Sequence, residues 1–177
     1  MIDKTEALIP FSKCSSVLDV GCGTGALCAV LDQRGYAATG TDLSENMLRQ
    51  ARKKAGGHIP FIQADVLEGL PFADESFDAV LCSFLAHGMG REGRIALYRE
   101  LCRAAKYLVI VHDYNSRRSL LREGIELLEG GDYFNFIREA EREMQEDFCD
   151  VQVVPVGRHS SWYLCIKQAC RDEFSQE

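Results

Sequence analysis

Five short apolar runs recur along this chain, and segments with helical spacing separate most of them. SVLDV (16–20), YAATGTDL (36–43), IPFIQADV (59–66), FDAVLCSF (77–84) and YLVIVHDY (107–114) read as strands. TGALCAVLDQRG (24–35), SENMLRQARKKAGG (44–57) and REGRIALYRELCRAAK (91–106) read as helices. Gly35 ends the first helix, Ser44 caps the second, and Gly56 with Gly57 closes it. Strands that alternate with helices build a parallel sheet covered by helices on both faces. These strands lack polar alternation, as a sheet buried on both sides requires.

The last third changes character. SRRSLLREGIELLEG (116–130) and DYFNFIREAEREMQEDF (132–148) have helical spacing. The second places Tyr133, Ile137, Ala140, Met144 and Phe148 on one stripe, and the charges of 138–147 read as its solvated face. VQVVPV (151–156) and WYLCIK (162–167) are too close for anything but an antiparallel hairpin, with Trp162 read as packing. The expectation is an α/β fold of one domain, residues 1–177, with a mostly parallel seven-stranded sheet that ends in this hairpin. No linker, internal repeat or low-complexity tract interrupts it.

Charge and length narrow the partners. The net charge of −7 opposes diffuse binding to nucleic acid, which depends on neutralising phosphates, and opposes attachment to anionic membranes. No apolar run approaches the roughly 18 to 20 residues that span a bilayer. MIDKTEALIPFSK lacks the pattern of a secretory signal, so a cytoplasmic location is expected. The eight cysteines form no C-x-x-C pair and no zinc-finger spacing. They read as reduced thiols packed like small apolar residues, and no metal site is expected.

The chemistry starts at LDVGCGTG (18–25). Gly21, Gly23 and Gly25 follow the first strand directly, and in an open α/β sheet ligands sit beyond the carboxyl ends of the strands. G-C-G-T-G-A fits the dinucleotide fingerprint formally. Asp42 ends the second strand about 20 residues on, where a carboxylate accepts both hydroxyls of a ribose; this fits NAD as well as any other nucleoside cofactor. Asp65, in QADV, can accept from an adenine amino group, with the Val66 backbone as the matching donor. Asp19 separates the alternatives. An acid beside the two phosphate charges of NAD costs energy in a crevice of low dielectric, and no Arg or Lys stands between Lys13 and Arg34 to offset it. S-adenosylmethionine carries no phosphate, only a positive ammonium and sulfonium.

VLDVGCGTG, TGTDLSENML and IQADVLEGLPFADESFDAVLCSFLAH resemble the successive motifs of class I S-adenosylmethionine-dependent methyltransferases. The chain is most similar to the small-molecule branch that includes ubiquinone/menaquinone-biosynthesis methyltransferases, over residues 14 to 112. The resemblance implies a Rossmann-like three-layer sandwich. It implies Asp19, Gly21, Cys22, Gly23 and Gly25 around the methionine part of the cofactor, Asp42 on the ribose, and Leu43 and Met47 beside the adenine. It puts Asp65 and Val66 on the adenine edge and lines the site with Cys82, Ser83 and Phe84. Two departures stand out: AAK replaces a Pro-Gly-Gly turn before the fifth strand, and the short N-terminal segment implies a partial lid.

The acceptor side falls after the fourth and fifth strands. His87 matches a position often held by His in the family and is a candidate base. His112, Asp113 and Tyr114 end the fifth strand where a substrate would lie, so His87, His112 and Tyr114 are the catalytic candidates. Arg117 and Arg118 read as solvated helix-end charges. Amine methyltransferases of nucleic acid carry a [DNS]-P-P-[YF] run where this chain reads CSFL. The reading is therefore methyl transfer to a small molecule by in-line displacement. The alternatives are a cofactor-binding module without turnover, transfer to a protein, and an NAD(P)-dependent oxidoreductase. Sequence leaves the oligomeric state open.

Overall fold

The structure is a computed structural model that describes residues 14–115 and 132–167. The expected helix over 116–130, Arg117 and Arg118, Cys170 and the N-terminal segment lie outside the described residues. The elements run β1 (Ser16–Val20), α1 (Ala26–Gln33), β2 (Ala37–Asp42), α2 (Glu45–Lys54), β3 (Phe61–Gln63) and β4 (Phe77–Ser83). A short 3-10 turn at Ala86–Gly88 precedes α3 (Arg91–Ala104) and β5 (Ala105–Tyr114). The chain then describes α4 (Tyr133–Met144), β6 (Asp150–Pro155) and β7 (Ser160–Ile166).

The seven strands form one sheet in the order β3-β2-β1-β4-β5-β7-β6. β1 to β5 are mutually parallel, and β7 runs antiparallel to both β5 and β6. The Rossmann-like α/β expectation and the terminal hairpin are both met. Of the described strands, the last in chain order is inserted between β5 and β6, so the hairpin joins the sheet through β7. β3 is shorter than expected, three residues against the eight of IPFIQADV, because a turn follows at Asp65, whose carbonyl accepts from Glu68 N–H at 3.1 Å and whose Oδ1 accepts from Leu67 N–H at 2.9 Å.

Both faces of the sheet are buried, as continuous apolar strands demand. Leu18, Val80, Val109, Val111 and Tyr163 face α3 and α4. Val17, Leu81, Ile110, Trp162 and Leu164 face α1 and α2. Ser44 caps α2 through its hydroxyl, which accepts from Met47 N–H. The stripe on α4 differs from the expected one. Phe136 and Glu143 are buried alongside Tyr133, Ala140 and Met144, whereas Ile137 is half-buried.

Glu143 corrects the reading of the 138–147 charges as a solvated face. It is 3% exposed and meets Arg94 of α3, itself 1% exposed. The guanidinium donates from Nε to Glu143 Oε2 at 2.7 Å and from Nη2 to Oε1 at 2.8 Å. Its Nη1 donates to Asp132 Oδ2 at 2.7 Å and to the Met89 carbonyl at 2.8 Å. Two hydrogen-bonded carboxylates hold the guanidinium above the usual arginine range. A forked arginine can satisfy this many acceptors at once and a lysine cannot. The pair fixes α4 against α3 and ties both to the loop that follows β4.

Candidate functional site

The sheet order reverses direction at β1, which has β2 on one side and β4 on the other. The crevice opens there, beyond the carboxyl ends of these strands. The glycine loop enters it from β1. Gly21 N–H and Cys22 N–H both donate to the Thr41 carbonyl, at 2.8 and 2.9 Å. Gly25 has φ +73°, and a Cβ there would stand 2.8 Å from the Phe61 ring and 2.9 Å from Ala51. That position therefore tolerates glycine alone, for backbone and for space.

Asp42 is built into the loop. Its Oδ2 accepts from Gly23 N–H and its Oδ1 from Ser44 N–H, each at 2.8 Å. A carboxylate has about four lone-pair sites, so two remain for a ligand. Asp65 Oδ1 accepts from Leu67 N–H at 2.9 Å. Asp42, Leu43, Asp65, Val66 and Gly21 share the wall of a cavity of about 230 Å³ with Thr41, Leu85 and Met89. Leu43 is 64% exposed and Met47 41%, two large apolar side chains open at the rim.

Asp19 is 3% exposed. Its partner is a thiol: Cys28 Sγ donates to Oδ2 at 3.5 Å. Burial pushes the Asp19 carboxyl up to about 7, the Cys28 contact opposes this, and the nearby Asp42 charge adds to it. A buried acid in this state is suited to receive a cation.

At the end of β4, Cys82 is wholly buried, and burial drives its thiol well above the ordinary range, with Asp113 and Asp19 adding to the effect. Phe84 has φ +53°, a conformation that L side chains rarely adopt. Its N–H continues the β4–β5 pairing by donating to the His112 carbonyl at 2.8 Å. The ring is 44% exposed, 4.6 Å from the His112 ring and 5.4 Å from the Tyr114 ring.

The three catalytic candidates fall on two sides of Phe84. His87 and Tyr114 pair on one side, ring centroids 4.7 Å apart, and Tyr114 also meets Tyr133 at 5.2 Å. His112 lies on the other, 6.3 Å from Trp162. Burial lowers the His112 imidazole below its ordinary value, and the Asp113 charge opposes this.

Asp113, expected with His112 and Tyr114 where a substrate would lie, is not open to one. It is fully buried. Oδ2 accepts from Ala86 and His87 N–H at 3.1 and 3.3 Å, and Oδ1 accepts from Tyr114 N–H at 2.8 Å. His87 Nδ1 stands 2.9 Å from Oδ1. Asp113 thus holds the turn that carries His87 onto the end of β5. Sequence also carries no sign of Arg94 as the anchor of α4. Trp162 packs into the α1 face of the sheet, as expected.

With this geometry in hand, comparisons place the chain. A family model described as a methyltransferase domain matches residues 17–107, and the chain belongs to that family. A demethylmenaquinone methyltransferase of Clavibacter sepedonicus is 39% identical over 82 residues, 45% of this chain and 33% of that one. The chain spans about a third of the length of the curated relatives it matches. The PH0226 protein from Pyrococcus horikoshii OT3 superposes with a TM-score of 0.77 at 21% identity, over 94% of this chain and 90% of that chain. Magnesium protoporphyrin IX methyltransferase (ChlM) from Synechocystis PCC 6803, crystallised with bound SAH, superposes with a TM-score of 0.67 at 20% identity, over 94% and 81%. At these identities the likeness is one of fold.

Proposed function

We propose that this chain transfers a methyl group from S-adenosylmethionine to a small-molecule acceptor, working as one domain in the cytoplasm without nucleic acid or membrane as partner. The observation that carries the reading is Asp19, a buried acid beside the glycine loop whose hydrogen-bond partner is a thiol. A cofactor with a positive methionine end restores the charge balance that burial disturbs, whereas a dinucleotide diphosphate aggravates it. The cavity at β1–β3 also suits the nucleoside. Thr41 Oγ1 is buried in its wall without a partner, and Asp42 keeps two lone pairs for ribose hydroxyls. Among the described residues no helix is long and apolar enough to cross a membrane.

The residues divide the labour. Asp19 and the loop from Gly21 through Cys22 and Gly23 to Gly25 hold the methionine end, and Asp42 orients the ribose. Leu43 and Met47 cover the adenine, while Asp65 and Val66 address its edge. Cys82, Ser83 and Phe84 close the β4 side. The bound cofactor supplies an electrophilic methyl group. The enzyme's main contribution is then alignment of the nucleophile with the scissile bond. His87, held by Asp113 through its turn, is placed to take a proton from an acceptor that needs deprotonation, and Tyr114 packs against it.

Calorimetry with S-adenosylmethionine, S-adenosylhomocysteine and NAD tests the reading. Micromolar binding of the first two and none of the third is expected. Tight NAD binding without the others would overturn it.

A further inference from the structure

Phe84 carries two costs that packing does not offset. Its backbone has φ +53°, which a residue with a Cβ adopts only against steric strain and glycine adopts freely. Its ring is 44% exposed, so much of the apolar surface whose burial would offset that strain stays in water. Strain of this kind persists where the surroundings enforce it, and it clusters at ligand sites. Here the surroundings do enforce it. Phe84 N–H is held on the His112 carbonyl at 2.8 Å, and the N–H groups of Ala86 and His87 just beyond are held on Asp113.

The register of the sheet places that ring. β4 lies between β1 and β5. On the β5 side the rings of His112 and Tyr114 brace Phe84 at 4.6 and 5.4 Å, tilted by 57° and 59°. On the β1 side Val20 pairs with Cys82, so the glycine loop begins directly across from Ser83 and Phe84. The two segments stay close one residue further on, where a Cβ on Gly21 would stand 3.4 Å from Leu85. Asp19 precedes the same loop. The open part of the Phe84 ring therefore borders the gap between the glycine loop and the end of β4, where the methionine end of the cofactor would lie.

Building on the methyltransferase reading, we propose that Phe84 is a specificity-determining residue that reads the charge on the cofactor's sulfur, its exposed ring attracting the sulfonium. A cation is drawn to the face of an aromatic ring by the ring's quadrupole. Methyl transfer turns the sulfonium into a neutral thioether, with the S–CH3 electron pair remaining on sulfur. The attraction is therefore present before transfer and absent after it. Asp19 cannot make this distinction, because methyl donor and demethylated product carry the same ammonium. Phe84 thus favours the donor over the product.

Calorimetry on the whole chain tests this with S-adenosylmethionine, S-adenosylhomocysteine and sinefungin, which carries an amine-bearing carbon in place of the methylated sulfur. In Phe84→Leu the two ligands with a cation at that position should weaken about fivefold relative to S-adenosylhomocysteine. The affinity of S-adenosylhomocysteine itself should stay within about twofold. Phe84→Tyr keeps an aromatic face and should keep the wild-type ratios. Phe84→Gly, which removes the backbone strain, should lose the same preference as Phe84→Leu, so the result does not depend on one variant folding, and melting temperature is the control. Equal weakening of all three ligands would make the ring a plain apolar contact and overturn the proposal, as would ratios that do not change. Either outcome leaves the cofactor reading standing. Failure of the wild-type chain to bind S-adenosylmethionine and S-adenosylhomocysteine overturns the cofactor reading, and the role of Phe84 with it.

Discussion

On the β1–β2 side of the crevice, a carboxylate binds backbone: Asp42 takes the N–H groups of Gly23 and Ser44, and the Thr41 carbonyl takes those of Gly21 and Cys22. On the β4–β5–β7 side, rings meet rings. Trp162, His112, Phe84, Tyr114 and His87 follow one another at centroid distances of 4.6 to 6.3 Å. The first side is assembled from residues close in sequence and from backbone atoms, which every sequence carries. The second is assembled from side chains brought together by register and by the α3–α4 clamp. A cofactor site of the first kind can persist while the second is rebuilt for another acceptor, since loops and edges are where specificity is varied.

This contrast can be broken most severely at the clamp. Arg94→Ala leaves Glu143 buried without its two hydrogen bonds and with only Arg91, 3.8 Å away, as an ion-pair partner, and should cost about 3 kcal/mol of stability by denaturant unfolding. Arg94→Met with Glu143→Leu should recover most of that loss, because the pair gains little over apolar packing. A single substitution as harmless as the double one would show that the pair does not hold the acceptor side.

Asp42→Ala attacks the other side. It should weaken S-adenosylmethionine binding by about 1.5 to 3 kcal/mol through loss of charge-assisted bonds to the ribose and to the loop. Calorimetry at constant pH reads this directly, and wild-type affinity would place the ribose elsewhere.

Asp19 sets a pH dependence. Its folded pKa of about 7 lies above the ordinary unfolded value. Its stabilisation of the free protein is therefore full below the unfolded pKa, and is lost as pH rises through about 7. Cofactor binding runs the opposite way, because a cationic ligand needs the ionised form. Affinity should fall about tenfold from pH 8 to pH 6, and Asp19→Asn should flatten the profile. An unchanged slope in that variant would assign the titration to another group.

The mildest change sharpens the boundary between the sides. Tyr114→Ala should lower turnover while leaving cofactor affinity within about twofold, as it removes no expected cofactor contact. Parallel loss of both in steady-state kinetics and calorimetry would mean that the two sides are not separable.

The same contrast explains which parts of the molecule were legible in the sequence. Gly21 to Gly25, Asp42 and Asp65 sit at fixed offsets from apolar runs, so local spacing suffices to place them. Asp113 reads identically to a substrate-facing acid, because only the tertiary turn at Ala86–Gly88 directs it inward. Glu143 belongs to a run of charges and shows no local sign that Arg94, 49 residues away, will bury it. Hairpin spacing pairs β6 with β7, but nothing in it says which of the two lies beside β5.

That last point has a temporal side. β7 occupies an interior place in the sheet although it is the last strand described in chain order. During synthesis β5 must wait with an open edge until β6 has emerged and the chain has turned back. Such long-range pairing is slow, and it exposes strand edges while it waits. The glycine loop, Asp42 and Asp65 all precede this step, whereas Trp162 arrives with it. A nascent chain halted before residue 160 would carry the cofactor-side residues in full and lack β7, the strand that closes the open edge of β5.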